Sequence, residues 1–224
     1  MRVTMSDPRK SDYLYEESIK TLRTNILFSG REIKTILFTS CYPNEGKSDI
    51  VFQLAREIGR MGKSVLILDA DIRKSSYVRR YSVNQPVYGL SQYLSGQAER
   101  DQIYNQTNFE NVDIIFAGPV APNPSELLED EAFEQLLAEA KRHYDYVLLD
   151  TPPMVSAIDG AVAAKKSDGA VLVVESGAVS YKVAQKVLGQ LQKSGCRILG
   201  AVLNKVDVKK DKYYSAYSKY SKYY

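Results

Sequence analysis

The residues best suited to chemistry lie in one short stretch, Cys41-Tyr42-Pro43-Asn44-Glu45-Gly46-Lys47-Ser48. It follows the apolar run TILFTS (35–40) and opens a helical pattern over 48–61. Gly-Lys-Ser at a strand-to-helix turn is the end of a phosphate-binding loop, G-x-x-x-x-G-K-[ST]. In such a loop Asn44, Glu45, Gly46 and the residues through Asp49 offer backbone N–H groups and a helix N-terminus to phosphate oxygens. Gly46 allows close backbone approach, Lys47 reaches the β and γ oxygens, and the Ser48 hydroxyl is a ligand for Mg²⁺. Cys41 stands where the pattern has its first glycine. Two further strand ends carry acids: Leu68-Asp69-Ala70-Asp71-Ile72-Arg73 and Leu149-Asp150-Thr151-Pro152-Pro153. One strand-end Asp is usually a cap or a turn residue. Three of them beside a phosphate loop predict Mg²⁺-dependent nucleoside triphosphate chemistry, with one carboxylate available to take a proton from a hydroxyl nucleophile.

These residues need a frame that brings strand ends together. Apolar runs at 35–40, 64–69, 112–118, 146–150, 169–176 and 197–204 alternate with helical patterns at about 12–29, 48–61, 124–144 (one helix or two), 157–166 and 180–194. Ser11 or Asp12 could cap the first helix. The stretch 74–110 is polar and irregular, with short helical pieces near 90–94 and 101–104. Continuously apolar strands separated by helices predict an α/β fold whose predominantly parallel sheet is covered by helices on both faces. Right-handed crossovers then place the loops after the strands on one edge, where such folds bind ligands.

Composition narrows the field. The chain has 224 residues, a net charge of +3 and a hydrophobic fraction of 44%, as in an ordinary single-domain globular protein. The segment Lys205–Tyr224 carries +4, leaving −1 over residues 1–204, so a nucleic-acid-binding face on the folded part is disfavoured. Six of the 17 Tyr lie in the last twelve residues: Tyr213, Tyr214, Tyr217, Tyr220, Tyr223 and Tyr224. Without apolar periodicity, 205–224 reads as a flexible tail beyond a folded unit ending near residue 204. Cys41 and Cys196 are too far apart for a zinc motif and predict reduced thiols. The start, MRVTMSDPRK, lacks the apolar region of a signal peptide, and no run approaches the roughly 18–20 apolar residues of a membrane span.

The loop PNEGKS, the run LILDADIR, the run VLLDTPP and the tyrosine-rich end together resemble the bacterial tyrosine kinases, phosphate-loop autokinases of capsular and exopolysaccharide synthesis. The resemblance spans about residues 13–224 and implies a P-loop NTPase fold with deviant motifs. It implies ATP and Mg²⁺ as cofactors, with Lys47, Asp69, Asp71 and Asp150 as catalytic residues. Asp69 and Asp71 would help deprotonate the acceptor tyrosine and organise Mg²⁺, while Ser48, Asp71 and Asp150 form the metal set. Asn204 would touch the base edge of the nucleotide. The tail tyrosines would be phosphorylated in trans by a neighbouring subunit. The implied partners are further copies in a ring, a tyrosine phosphatase and a transmembrane adaptor that activates the kinase and recruits it from the cytoplasm to the inner face of the plasma membrane.

Two departures from the family pattern stand out. Its N-terminal E-x-x-R-x-x-R oligomerisation motif reads here Glu17, Lys20 and Arg23, and lysine lacks the planar guanidinium fork. A hydroxyl usually follows the Mg²⁺ serine, and this chain has Asp49, a like charge expected to point away from a triphosphate or to weaken its binding. Three other readings compete. Partitioning or septum-site ATPases carry an early loop lysine where this chain has Tyr42 and Pro43. A GTPase is suggested by Asn204-Lys205-Val206-Asp207, which fits the N-K-x-D guanine-reading pattern. A scaffold that binds nucleotide without turnover is the third.

Overall fold

The computed structural model describes residues 1–10 and 12–207. The tail tyrosines and the alternative cap Ser11 lie outside the described residues. In chain order the elements are α1 (Tyr13–Leu27), β1 (Thr35–Ser40), α2 (Lys47–Gly59), β2 (Val65–Asp69), α3 (Tyr77–Arg80), α4 (Leu90–Leu94), α5 (Arg100–Ile103), β3 (Asn105–Gln106), β4 (Val112–Ile115), α6 (Pro124–Glu129), α7 (Glu131–His143), β5 (Tyr146–Asp150), α8 (Asp159–Lys165), β6 (Gly169–Glu175), α9 (Tyr181–Lys193) and β7 (Ile198–Asn204).

Among the described residues they build one seven-stranded sheet of order β3-β4-β2-β5-β1-β6-β7, with every pair parallel except β3 with β4. The predicted α/β architecture is therefore the observed one. Residues of β1 and β2 are buried along their whole length because helices cover both faces. Alternate side chains feed two cores. Leu37, Leu66, Leu68 and Leu149 pack with Phe133, Leu136, Val187 and Leu191 under α7 and α9. Ile36, Phe38 and Ile67 pack with Phe52, Leu54, Ile58, Tyr77 and Tyr81 under α2 and α3.

The structure departs from the sequence expectation in two places, the stretch 74–110 and the N-terminal arm, and decides the one-or-two-helix choice over 124–144. The stretch 74–110 contains α3 and the two-residue strand β3, both too short to show a period. The helical pattern 124–144 is two helices broken at Asp130, whose carboxylate accepts from the Ala132 N–H at 2.8 Å. The N-terminal arm, polar on average, buries Val3 and Met5. Val3 N–H donates to Gln106 O at 2.8 Å and Ser6 N–H to Tyr81 O at 2.8 Å, so the arm extends the sheet edge and then crosses towards α2.

Asp168 fastens the start of β1. Its carboxylate accepts from the N–H groups of Lys34 (3.0 Å) and Thr35 (2.8 Å) and from Lys141 Nζ (2.5 Å). Partial burial pushes its pKa up, but the Lys141 and backbone hydrogen bonds outweigh this and hold it below the ordinary 3.8. Asp168→Ala should therefore lower stability by about 1–3 kcal/mol in denaturant unfolding at neutral pH. Because the folded-state pKa is depressed, this contribution is complete above the ordinary value and fades as the pH falls through the depressed one, so the two proteins should converge in acid.

Candidate functional site

The site lies at the C-terminal ends of β1, β2 and β5, beside the change in strand order. The chain leaves β1 at Ser40 and enters α2 at Lys47 through two left-handed residues, Asn44 (φ 67°) and Gly46 (φ 88°). Gly46 is required twice over, since its φ disfavours other residues and an added Cβ would collide with Asn204 Nδ2. Cys41 is fully buried and outside the left-handed region, which is why a non-glycine residue serves at the loop's first position.

Side chains from the loop itself and from the ends of β6 and β7 hold the loop in shape. The buried Glu45 carboxylate accepts from Tyr42 N–H (2.9 Å) and from Glu175 N–H at the end of β6 (3.2 Å). Asn204, the last residue of β7, donates from Nδ2 to Glu45 O at 2.7 Å. Lys205, itself left-handed at φ 56°, donates to Asn44 O (2.7 Å) and Glu175 Oε2 (2.8 Å). The chain after β5 wraps the loop's base, with Met154 N–H bonded to Ser40 O at 2.9 Å.

The three strand-end acids meet the loop. Asp69 and Asp150 are in register on the adjacent strands β2 and β5, and both are buried. Lys47 Nζ is ion-paired with Asp150 Oδ1 and lies 3.4 Å from Ser48 Oγ. Asp69 accepts from Ser75 Oγ and from Asp71 N–H (3.2 Å). Burial, reinforced by the charge on Asp150, pushes the Asp69 carboxyl well above the usual carboxylate range. Asp71, only partly buried, is also raised, chiefly by burial and against the pull of Lys47. The fully buried Tyr77 donates its hydroxyl to Ser48 O at 3.1 Å.

Several partners were not legible in the sequence. Arg73 grips the buried Asp159 at the start of α8 through Nε (2.6 Å) and Nη2 (3.0 Å), and Ser125 Oγ donates to the same carboxylate at 2.7 Å. Burial pushes Asp159 up, yet the Arg73 and Ser125 hydrogen bonds dominate and lower its pKa. This cluster fixes the acidic loop after β2 against α6 and α8. Ser75, Tyr77, Asp159 and Glu175 sit in ordinary polar contexts along the chain. Only Arg73, two positions from Asp71, carried a sequence signal.

Asp49 has both oxygens engaged. Arg9 of the N-terminal arm and Tyr15 of α1 (2.8 Å) donate to Oδ2, and Arg80 of α3 donates to Oδ1 at 2.9 Å. Arg9 also stacks over the Tyr15 ring, 3.7 Å from its centroid. Asp12 caps α1. Along that helix Lys20 pairs with Glu17 at 2.7 Å, while Arg23 turns inward to Glu57 of α2 at 3.4 Å.

A family model described as an AAA domain matches residues 34–198. The tyrosine-protein kinase CpsD of Streptococcus pneumoniae is 36% identical over 209 residues, 92% of each chain. The chain belongs to the bacterial tyrosine-protein kinase family. The solved kinase domain of the Escherichia coli tyrosine kinase ETK matches with a TM-score of 0.80 at 34% identity, covering 85% of this chain and 75% of that one. The chimerical protein CapA2B2 matches with a TM-score of 0.82 at 28% identity, covering 92% and 94%. The septum site-determining protein MinD of Pyrococcus horikoshii, solved with Mg-ADP, matches with a TM-score of 0.68 at 26% identity, covering 78% and 71%. This tyrosine-protein kinase thus has a nucleotide-binding P-loop core. No helix among its described residues is long and apolar enough to cross a membrane.

The Asp49 cluster predicts a linked effect. Asp49→Ala would leave Arg9 and Arg80 beside a vacated anion position, destabilising the protein by about 1–3 kcal/mol, a buried-pair loss discounted because both arginines are about one-third exposed. Hydrogen exchange should show residues 1–10 losing protection in the variant, while β4, paired on both sides, stays protected.

Proposed function

We propose that the chain is an ATP-dependent protein-tyrosine autokinase that phosphorylates the C-terminal tyrosine cluster of a neighbouring copy and thereby regulates capsular or extracellular polysaccharide synthesis. The observation that carries this reading is the meeting of Lys47, Ser48 and three strand-end acids at one loop, in a chain of the tyrosine-protein kinase family.

The donor set fits Mg²⁺. It comprises a hydroxyl and carboxylates, all hard oxygen ligands, and no three acids, His or Cys close into a cage among the described residues. Mg²⁺ is typically held by one or two carboxylates together with substrate phosphates and water. Ser48, Asp71 and Asp150 would hold it here, and when bound the ion would supply neutralisation of phosphate charge. The backbone from Asn44 to Asp49 cradles the phosphates of ATP. Lys47 exchanges its contact with Asp150 for the β and γ oxygens. Asp49 takes part through its N–H, because its carboxylate is already neutralised by Arg9 and Arg80. Asn204 stands at the base end of the nucleotide. Asp71 opens to solvent, so an incoming tyrosine hydroxyl can reach it and pass it a proton. Asp69, buried behind it, holds the loop N–H of Asp71. Positioning and charge neutralisation are most of what phosphoryl transfer asks of a protein.

The acceptors are Tyr213, Tyr214, Tyr217, Tyr220, Tyr223 and Tyr224. Each phosphate adds about −1.5 to −2 charges, so about three would reverse the +4 of Lys205–Tyr224 and provide a switch. Of Glu17, Lys20 and Arg23, the exposed Glu17–Lys20 pair would carry assembly of α1 into a ring, while Arg23 is held inward by Glu57. A transmembrane adaptor recruits the kinase to the inner face of the plasma membrane, and a tyrosine phosphatase resets it. A MinD-like switch without tyrosine transfer is the competing reading, and Tyr42 and Pro43 in place of an early loop lysine count against it.

A mixing experiment tests this. A Lys47→Ala chain is incubated with Mg·ATP and an active chain whose six tail tyrosines are changed to Phe, and phosphotyrosine is mapped by mass spectrometry. Label should accumulate on the tail of the Lys47→Ala chain and on no tail when either chain is incubated alone. ATP hydrolysis with no tail phosphotyrosine would instead support the regulatory ATPase.

A further inference from the structure

A groove of about 1060 Å³ runs along α8, between α7 and α9. It exists because α8 has seven residues where its neighbours have thirteen each, and because Ala161 and Val162 on its groove side are short. The floor is apolar: Ile158, Ala161 and Val162, with Leu137 of α7. Ile158 is 65% exposed, an unusual position for a side chain of this type. The walls carry both signs of charge, Glu129 and Glu134 on one side and Lys193 on the other, with Lys165 at the end of α8. Among the described residues Glu129, Lys165 and Lys193 have no ion-pair partner. Lys141 and Lys166, which also line the groove, are paired with Asp168 and Glu134. One end of the groove meets the catalytic edge of the sheet. Ile158 immediately precedes Asp159, which Arg73 grips at 2.6 and 3.0 Å, and Arg73 is two residues from Asp71 on the same loop. A chain lying in the groove is therefore led to Asp71.

We propose that this groove seats the tyrosine-rich tail of a neighbouring copy, with a tyrosine ring lying on α8 while the next tyrosine along the chain reaches Asp71. The occupant is argued from chemistry and spacing. Tyrosine has an apolar ring for the floor and a polar tip for solvent. Lys165 and Lys193 can lie over ring faces, and the lysines between the tail tyrosines meet Glu129 and Glu134. Tyr214, Tyr217, Tyr220 and Tyr223 recur every three residues, an interval that spans about 10 Å in an extended chain. Seven helical residues are also about 10 Å long, so a ring on α8 and its neighbour at the acidic loop are one such interval apart. The inference rests on the autokinase reading above and adds to it where the acceptor chain lies.

Two measurements on full-length chains test this, each with Ala161→Gln to fill the groove without adding charge. The position is helical and partly exposed, so the variant should keep its melting temperature. The copy under test has its own six tail tyrosines changed to Ser, so that its tail cannot occupy the groove. The first measurement is the fluorescence anisotropy of a labelled peptide of residues 205–224. Filling the groove should weaken its binding by roughly tenfold or more, the loss of one seated aromatic ring. Ile158→Ser, a milder change at an exposed position, should act in the same direction. A six-Ser peptide should bind the unfilled copy equally weakly, and a six-Phe peptide should bind it like the original. The second measurement is labelling in Mg·ATP of a Lys47→Ala chain with an intact tail, supplied below saturation. Ala161→Gln in the active copy should cut tail phosphotyrosine by a similar factor, whereas the same change in the Lys47→Ala chain should leave it unaltered. A general structural defect would not produce that asymmetry. The proposal is overturned if the peptide does not bind saturably to the unfilled copy, or if the six-Ser peptide binds as tightly. It is equally overturned if the groove-filled copy binds peptide or labels the acceptor as well as the unfilled one. If peptide binding behaves as expected but no chain is labelled, the groove stands and the autokinase reading fails.

Discussion

The architecture turns on a concentration of negative charge that the sheet forces together. Parallel pairing of β2 with β5 puts Asp69 directly beside Asp150, both out of water, with Asp71 two residues away. Burying one carboxylate already disfavours ionisation, and a second at the same level adds like-charge repulsion. The compensation comes from Lys47, the Ser75 hydroxyl and the Asp71 N–H, a set short of positive charge. Such a site is poorly satisfied by protein alone and suited to a cation carried in with phosphates. Natural proteins keep arrangements of this kind where function requires them.

The rest of the fold holds the other half of that encounter in place. The phosphate loop contains two left-handed residues, and its shape is set by Glu45, Asn204 and Lys205, contributed by the loop itself and by the end of β7, with β6 supplying Glu175. The acidic loop after β2 is pinned by Arg73 to Asp159 at the start of α8. The N-terminal arm reaches α2 through Arg9 and Asp49, linking the arm, α1 and α3 to the residue after Ser48. A carboxylate that looks unfavourable for nucleotide binding in the sequence is thus the hub of an ion-pair cluster facing the protein.

Much of this was legible in the residues. The apolar runs at 35–40 and 146–150 match β1 and β5 residue for residue, because strands buried on both faces show as continuous apolar stretches. The Gly-Lys-Ser turn and the acids at the ends of β2 and β5 could be placed on one sheet edge from topology alone. The residues alone do not show what tertiary contact decides. β3 has two residues and exists only because β4 and the N-terminal arm flank it. Val3 and Met5 are too few to form a pattern, yet each is buried by a surface built elsewhere in the chain. Asp159, Tyr77 and Glu175 carry no motif, and their roles come from neighbours between about 30 and 130 positions away. The charge of Asp49 is plain in the sequence, but only the positions of Arg9, Tyr15 and Arg80 reveal how that charge is used.

The central claim is that Asp69 and Asp150 are held together at the expense of stability for the sake of the bound cation and nucleotide. Thermal unfolding of wild type and Asp69→Asn, each with and without Mg·ADP, tests it directly. The neutral isostere should raise the melting temperature of the protein alone and diminish the increment that Mg·ADP provides. A lower melting temperature for Asp69→Asn without nucleotide, together with an undiminished Mg·ADP increment, would contradict the account.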